Sequence, residues 1–272
     1  MKHRVLAGLA VTALLAACGG ANSTSVAPKP VTSKSASPSP PSVSMTIADG
    51  ATLKRAIHWQ VSARPAANDA IQEVDFLIDG KKKWVENNAP YFFDDDFEVL
   101  APWLLGNGRH ELTARVATLD GASAEITAHV SVNVDISRNK LIAGTYRRVV
   151  TRADQKRVEP YRVPSKGAFG NESPTGRWTI HVKANGEIIG VDPTGDAANP
   201  FIEPYTLDRS TLTLYGPAVW RQPNPESAND FCQPEKASDY TWSLSGSSLT
   251  IRNIQRSCAD RDIVFVGKWT RS

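Results

Sequence analysis

Three cysteines, a run of aspartates and five histidines are the residues of this chain whose types could do chemistry. Cys232 and Cys258 enclose 27 residues counted from 232 through 258. An even thiol pair in an oxidising compartment is expected to bridge, a constraint that stabilises by about 3 kcal/mol. The other chemistry open to Cys258 is a nucleophilic thiol, for which the sequence lacks an upstream His-Gly element. Asp94-Asp95-Asp96 is the densest acidic cluster, but no D-x-D-x-D-G spacing surrounds it, so a solvated loop is expected rather than a calcium site. Asp192-Pro193-Thr194-Gly195-Asp196 has turn chemistry first. The histidines, His3, His58, His110, His129 and His181, do not cluster along the chain. H-E-x-x-H, C-x-x-C and G-x-S-x-G are all missing, so no metal, no cofactor, no catalytic residue and no enzymatic activity are expected.

Cys18 stands apart from the other two. Lys2, His3 and Arg4 form a basic start, and Val5 to Ala17 is an apolar stretch interrupted only by Thr12. That run is too short for a permanent membrane span and has the order of an export signal. It ends in Leu15-Ala16-Ala17-Cys18, which resembles the lipobox of bacterial lipoproteins. The resemblance implies that residues 1–18 are a lipoprotein signal whose Cys18 is acylated. The mature chain would then be anchored by two or three acyl chains on the outer face of a bacterial membrane, in the cell envelope. Residues 19–44 are dominated by Ser, Pro, Ala, Thr and Lys and predict a disordered linker. Extended at ~3.1 Å per residue, that linker would reach roughly 80 Å. The formal charge is +3, and loss of Lys2 and Arg4 leaves about +1, with no basic tract to suggest nucleic acid.

From Met45 onward the pattern is alternation, and the fold class expected is all-β. Val74, Phe76 and Ile78 run into Asp79-Gly80, a hairpin signal. Leu112, Ala114 and Val116 run toward Asp120-Gly121, and Ile126, Ala128, Val130, Val132 and Val134 share one face. This predicts a β-sandwich over 45–136. The runs Val74-Asp75-Phe76-Leu77-Ile78-Asp79-Gly80, Ala89-Pro90-Tyr91 and Gly108-Arg109-His110-Glu111-Leu112-Thr113-Ala114-Arg115 resemble a bacterial immunoglobulin-like domain. That likeness implies a spacer or adhesion role more often than catalysis.

The region 138–272 predicts a second all-β unit. Gly144-Thr145-Tyr146, then Trp178, Ile180 and Val182, then Glu187 to Val191 open it. Leu212 and Leu214, then Tyr240, Trp242 and Leu244, then Leu249 and Ile251 follow, and Ile263, Phe265, Gly267 and Trp269 are expected as the last strand. About eight strands in up-and-down order suffice to close a small antiparallel β-barrel. The opening Gly144-Thr145-Tyr146, the Tyr240-x-Trp242-x-Leu244 strand and Cys258-x-x-Arg261 before Gly267-Lys268-Trp269-Thr270-Arg271 resemble a lipocalin-like (calycin-type) barrel. Lipocalins open with G-x-W and close with a basic residue packed on that Trp. Here Tyr146 replaces the Trp, and either Arg271 or Arg148 is a candidate for the basic group.

Trp178, Tyr205, Trp220, Tyr240, Trp242, Phe265 and Trp269 are then candidates to line a ligand cavity, with Tyr205, Trp220 and Arg221 placed by Pro-rich segments at a barrel mouth. The simpler reading of Trp178, Tyr240, Trp242, Phe265 and Trp269 is barrel core, since aromatics chiefly supply buried area. The leading expectation is a monomeric, surface-anchored binding protein. Its sandwich would be a spacer and its barrel the recognition head for a small apolar or amphipathic ligand. The alternative is an adhesive envelope protein that contacts protein or a polysaccharide polymer and has no ligand cavity.

Overall fold

The computed structural model describes residues 39–66, 70–94, 99–161, 174–193, 200–216, 218–221, 237–254 and 258–272. The signal segment, Cys18, most of the linker, Asp95, Asp96 and Cys232 lie outside these residues.

The first half is a two-sheet sandwich. One sheet runs in the order β2 (Thr52–Leu53), β8 (Ser123–Val132), β7 (Gly108–Thr118), β4 (Ile71–Ile78) and β5 (Lys81–Glu86). The other runs β1 (Ser42–Met45), β3 (Gln60–Arg64) and β6 (Tyr91–Phe92). Period-two alternation buries Val74, Phe76 and Ile78 on β4, Leu112, Ala114 and Val116 on β7, and Ala128, Val130 and Val132 on β8. Facing them, Trp59 crosses Phe76 edge-on at 4.9 Å and stacks on Phe93 at 5.2 Å. Asp79 and Gly80 both take positive φ, 51° and 71°, as the tight β4–β5 turn requires. Edge strand β5 opens with three lysines, which discourages pairing with another chain.

The second half is a closed barrel. Its strands, in chain order and in spatial order, are β9 (Gly144–Val150), β10 (Gly176–Val182), β11 (Glu187–Val191) and β12 (Phe201–Leu207). They continue as β13 (Thr211–Leu214), β14 (Ser238–Ser245), β15 (Ser248–Asn253) and β16 (Gly267–Arg271). Every neighbouring pair is antiparallel, and Thr270 opposite Arg147 with Arg271 opposite Tyr146 closes the ring. Arg271 supplies the closing cation: its guanidinium lies 5.2 Å over the Tyr146 ring and donates to the Tyr146 hydroxyl at 2.7 Å. Arg148 does a parallel task on Trp269, 5.8 Å from that ring.

Two elements depart from the strand pattern. The segment expected to start the last strand is a helix, α2 (Ala259–Phe265). Ile263, Val264 and Phe265 are all fully buried, a run of three that no alternating strand would bury on one face. Asp260 and Asp262 in its first turn complement the helix dipole, and Cys258 caps it, its sulfur accepting from the Arg261 N–H at 3.3 Å. A second helix, α1 (Arg152–Val158), starts from a capping box of Thr151 and Asp154. Arg148 joins the two, pairing with Asp154 at 2.7 Å and donating to the carbonyls of Val264 and Val266 at the end of α2. Strand β12 gave no alternation because residues on both its faces are buried and Pro204 sits at its centre.

Candidate functional site

The aromatic side chains expected to line a cavity divide into three groups. Trp178, Tyr205, Tyr240, Phe265 and Trp269 come together inside the barrel, each 0% or 1% exposed. A residue bordering an open chamber keeps surface reachable by water, and these keep none. Phe201 fills the space between them, 6.2 Å from the Trp178 ring and 5.9 Å from that of Phe265. It lies so close to β11 that a Cβ on Gly190 would come within 1.8 Å of its ring. Their polar handles are satisfied internally. Tyr205 donates to the Lys183 carbonyl at 2.8 Å, Tyr240 to Asp262 at 2.8 Å, Trp178 to the Pro174 carbonyl at 2.7 Å and Trp269 to that of Phe265 at 3.0 Å. Burial raises the pKa of both Tyr205 and Tyr240 well above that of a free phenol. Trp242, further along the Tyr240 strand, is only partly buried against the barrel core and donates to the Asp208 carbonyl at 3.1 Å.

Trp220 is elsewhere. It sits on a short 3-10 turn, Val219–Arg221, and packs against the sandwich core, 5.7 Å from the Phe93 ring. The expectation of a barrel mouth at this point is corrected, because the segment forms a seam between barrel and sandwich. Tyr215 packs at a tilt against Trp103, ring centroids 5.0 Å apart, and the Trp103 indole donates to the Gly186 carbonyl at 3.3 Å. Gly186 has φ +88°, and any Cβ there would meet the Trp103 ring at 2.5 Å. Asp94 is also corrected: it is fully buried and accepts the Trp220 backbone N–H at 2.6 Å, where a solvated acidic loop was expected. Beneath the seam Glu187, 1% exposed, binds Arg221, Lys183 at 3.1 Å and Asn185 at 3.1 Å. Burial opposes ionisation of Glu187, yet the bonds from Asn185, Lys183 and Arg221 hold its carboxyl below the usual range. Sandwich and barrel together make one compact unit, Ser37–Ser272.

A second buried polar group was missed from sequence. Glu203 on β12 and Arg261 on α2 are 0% and 1% exposed and pair at 3.0 Å. Glu203 also accepts the Gly216 N–H at 3.0 Å, and Arg261 donates to the Ser238 hydroxyl at 2.8 Å. Asp262 accepts from Tyr240 and Asn253. A charge inside an otherwise apolar stretch, Glu203 between Ile202 and Tyr205 or Arg261 before Ile263, was the available signal. With so little exposure the pair ties β12 to α2 inside the core.

Two open concave surfaces formed by described residues lie on the sandwich. One hollow of about 580 Å³ is lined by Asp79, Arg109, His110, Glu111, His129 and Ser131. It brings together two histidines that looked dispersed, because the β7–β8 register sets Glu111 opposite His129. His110 faces Asp79 at 2.9 Å, and His129 faces Asp49 at 3.1 Å and Glu111 at 3.8 Å. The His129 backbone N–H and imidazole hold the Asp49 carboxyl below the usual range. For Asp79 burial works the other way, but the Glu111 N–H and His110 prevail and lower it. The side chains of Asp79, His129 and Glu111 are 52%, 73% and 48% exposed, so their hydrogen-bonding capacity faces solvent. Among the described residues Ser131 makes no hydrogen bond to either imidazole, and no set of three His, Cys, Asp or Glu is placed to hold a metal ion. A second hollow of about 730 Å³ is lined by Ile47, Leu53, Ala56, Ile57, Arg55 and His58.

The geometry defines an all-β protein, an immunoglobulin-like sandwich fused to an eight-stranded antiparallel barrel. No protein-family model and no curated protein matches the chain. Among solved structures it is similar to the fibronectin(III)-like modules of Clostridium thermocellum CbhA, at 21% identity, over 35% of this chain and 47% of that one, with a TM-score of 0.27. It is also similar to Bacteroides ovatus SGBP-B of a mixed-linkage glucan utilization locus, solved with a mixed-linkage heptasaccharide. That match has 11% identity over 80% of this chain and 66% of that one, with a TM-score of 0.24. The chain thus spans less than two thirds of each, and at these TM-scores neither likeness carries an argument about function.

Proposed function

We propose that this protein is a non-enzymatic contact protein of the cell envelope, with a solid barrel and with its recognition surfaces on the outside. The observation that carries this reading is a contrast in exposure. The barrel aromatics that would line a chamber have no surface open to water, whereas the sandwich hollow presents Asp79, Glu111 and His129 about half exposed or more. Carboxylates, imidazoles and a guanidinium in a shallow wet hollow suit the hydroxyls and amides of a polymer or protein chain, and suit an apolar ligand poorly. The lipid on Cys18 would hold the chain on the outer membrane face, and Cys232 would bridge to Cys258 there.

The test is capture of purified envelope polysaccharide and envelope protein fractions by the mature chain, alongside native mass spectrometry. Capture should fall when His129→Ala and Glu111→Ala are combined, with no change in melting. A small apolar molecule retained in stoichiometric amount by the purified protein would overturn the solid-barrel reading. Cys18→Ser should move the protein from the membrane fraction to the soluble one, and the unreduced, denatured chain should alkylate at neither Cys232 nor Cys258.

A further inference from the structure

The outer wall of the barrel carries a charge asymmetry that its core does not explain. On β9, β10, β15 and β16 the inward positions are Tyr146, Trp178, Ile180, Leu249, Ile251 and Trp269, all buried. The alternate positions face out, and these four strands, GTYRRVV, GRWTIHV, SLTIRN and GKWTR, contain no Asp or Glu. Their outward cations are Arg147, Arg177, Arg252 and Lys268, each exposed. Register joins them into one patch. Arg147 stands opposite Thr179 on one side and Thr270 on the other, Arg177 opposite Val149, and Lys268 opposite Thr250. Arg252 stands opposite Thr241, and the margin beyond it is Asp239, already bonded to Thr213 at 2.7 Å.

Some cations elsewhere in the fold are engaged within it. Arg148, Arg221 and Arg261 each meet a carboxylate, and Arg271 meets Tyr146. Among the described residues none of the four wall cations has an ion-pair or side-chain hydrogen-bond partner. We propose that this wall, Arg147, Arg177, Arg252 and Lys268 with the threonine hydroxyls between them, docks an anionic linear polymer bearing carboxylate or phosphate groups. The proposal rests on reading the chain as an envelope contact protein, and it names the partner class and the surface.

Charge complementarity and shape favour a polymer over the other anionic partners. Strands ~4.8 Å apart and a two-residue step of ~6.7 Å put neighbouring cations on a diagonal roughly 8 to 10 Å apart. A flexible chain with regularly spaced anions can follow such a line around a convex wall. A flat bilayer touches a convex wall along a narrow strip, and the one exposed apolar residue on these strands, Val149 at 60%, gives it little to insert. Nucleic acid binding draws on exposed aromatics for stacking, and the aromatics of these strands point inward. Arginine suits both carboxylate and phosphate, forming paired hydrogen bonds to either. Because each exposed contact is weak alone, binding has to be multivalent and salt-sensitive.

The test uses the full mature chain and four probes: polygalacturonate, inorganic polyphosphate, neutral dextran, and vesicles of phosphatidylglycerol with phosphatidylcholine. At low salt the protein should bind polygalacturonate, polyphosphate or both, which tells carboxylate from phosphate sources, and should ignore dextran. Raising the salt, or combining Arg147→Glu with Lys268→Glu, should each weaken binding by about tenfold or more. The milder pair Arg177→Gln with Arg252→Gln should weaken it with unchanged melting, which keeps the test open if charge reversal disturbs folding. Failure to bind either polyanion, or undiminished binding by both variants, would overturn the proposal, as would vesicle binding stronger than polymer binding. If pure polyanions fail while envelope fractions are still captured, this inference falls and the broader reading stands.

Discussion

Replacing Glu187 by glutamine removes a buried carboxylate beneath the seam, where it binds Lys183, Asn185 and Arg221. Its side chain is 1% exposed, whereas those of its partners Lys183 and Arg221 are 47% and 35% exposed. Breaking a fully buried pair costs about 3 to 5 kcal/mol, and an exposed pair contributes about 0 to 1. Half-solvated partners screen the interaction, so the expected loss is ~2 kcal/mol. A body of this size shifts its melting point by about 2 to 4 °C per kcal/mol, so Glu187→Gln should melt about 4 to 8 °C lower near neutrality. The dependence on pH follows from the sign of the shift. Because the folded-state carboxyl titrates below its ordinary 4.5, its contribution is present above that value and is lost as pH falls through the folded-state value. The gap between wild type and variant should therefore close in acid, where both side chains are neutral. Thermal unfolding followed by circular dichroism and by tryptophan fluorescence measures it. Equal melting points near neutrality, or a gap that persists unchanged in acid, would refute the account of Glu187 as the ionised anchor of the seam.

Trp178→Ala should cost about 3 to 5 kcal/mol in a urea titration, because it empties a core position 1% exposed, and a loss under about 1 would mean the barrel is looser than its burial shows. Arg271→Ala removes the cation over Tyr146 and the bond to its hydroxyl, and should cost ~1 kcal/mol, with Arg271→Lys recovering only part. Trp220→Ala strips the seam of its contact with Phe93 and should separate one calorimetric transition into two, whereas a single unsplit transition would mean that Trp103 and Gly186 hold the halves together unaided.

What was legible in the sequence followed from periodicity. The alternation of Val74-Phe76-Ile78 and Trp178-Ile180-Val182 is local, so each face could be assigned without knowing its partner strand. Strand β12 was not legible, since Glu203 and Pro204 interrupt a stretch whose residues are buried on both faces. Helix α2 was mistaken for strand because Ile263 and Phe265 fit period two by chance, while the buried Val264 between them decides for a helix packed inside. The site residues failed for a different reason. His110 and His129 come to line one hollow only through the pairing of β7 with β8, and Trp220 meets Phe93 only through the packing of two halves far apart in sequence. Neither juxtaposition leaves a short-range pattern.

The seam also changes what a spacer can mean here. A sandwich acting as an independent spacer would end in polar surface, with a flexible link to the next module. This one ends in Phe93, Trp103 and buried Asp94, all engaged with groups of the barrel half. The two halves therefore present their outer surfaces from one body, and any motion that changes the span between the sandwich hollow and the basic barrel wall must first break the Trp220 and Trp103 contacts. A polymer long enough to reach both surfaces would gain from a span that is fixed in advance, because the second contact then costs little further ordering. On that reasoning the stiffness of the seam, more than the strength of either surface, would set how tightly a long partner of the proposed kind is held. Weakening Trp220 should lower affinity for long polymers while leaving short fragments unaffected.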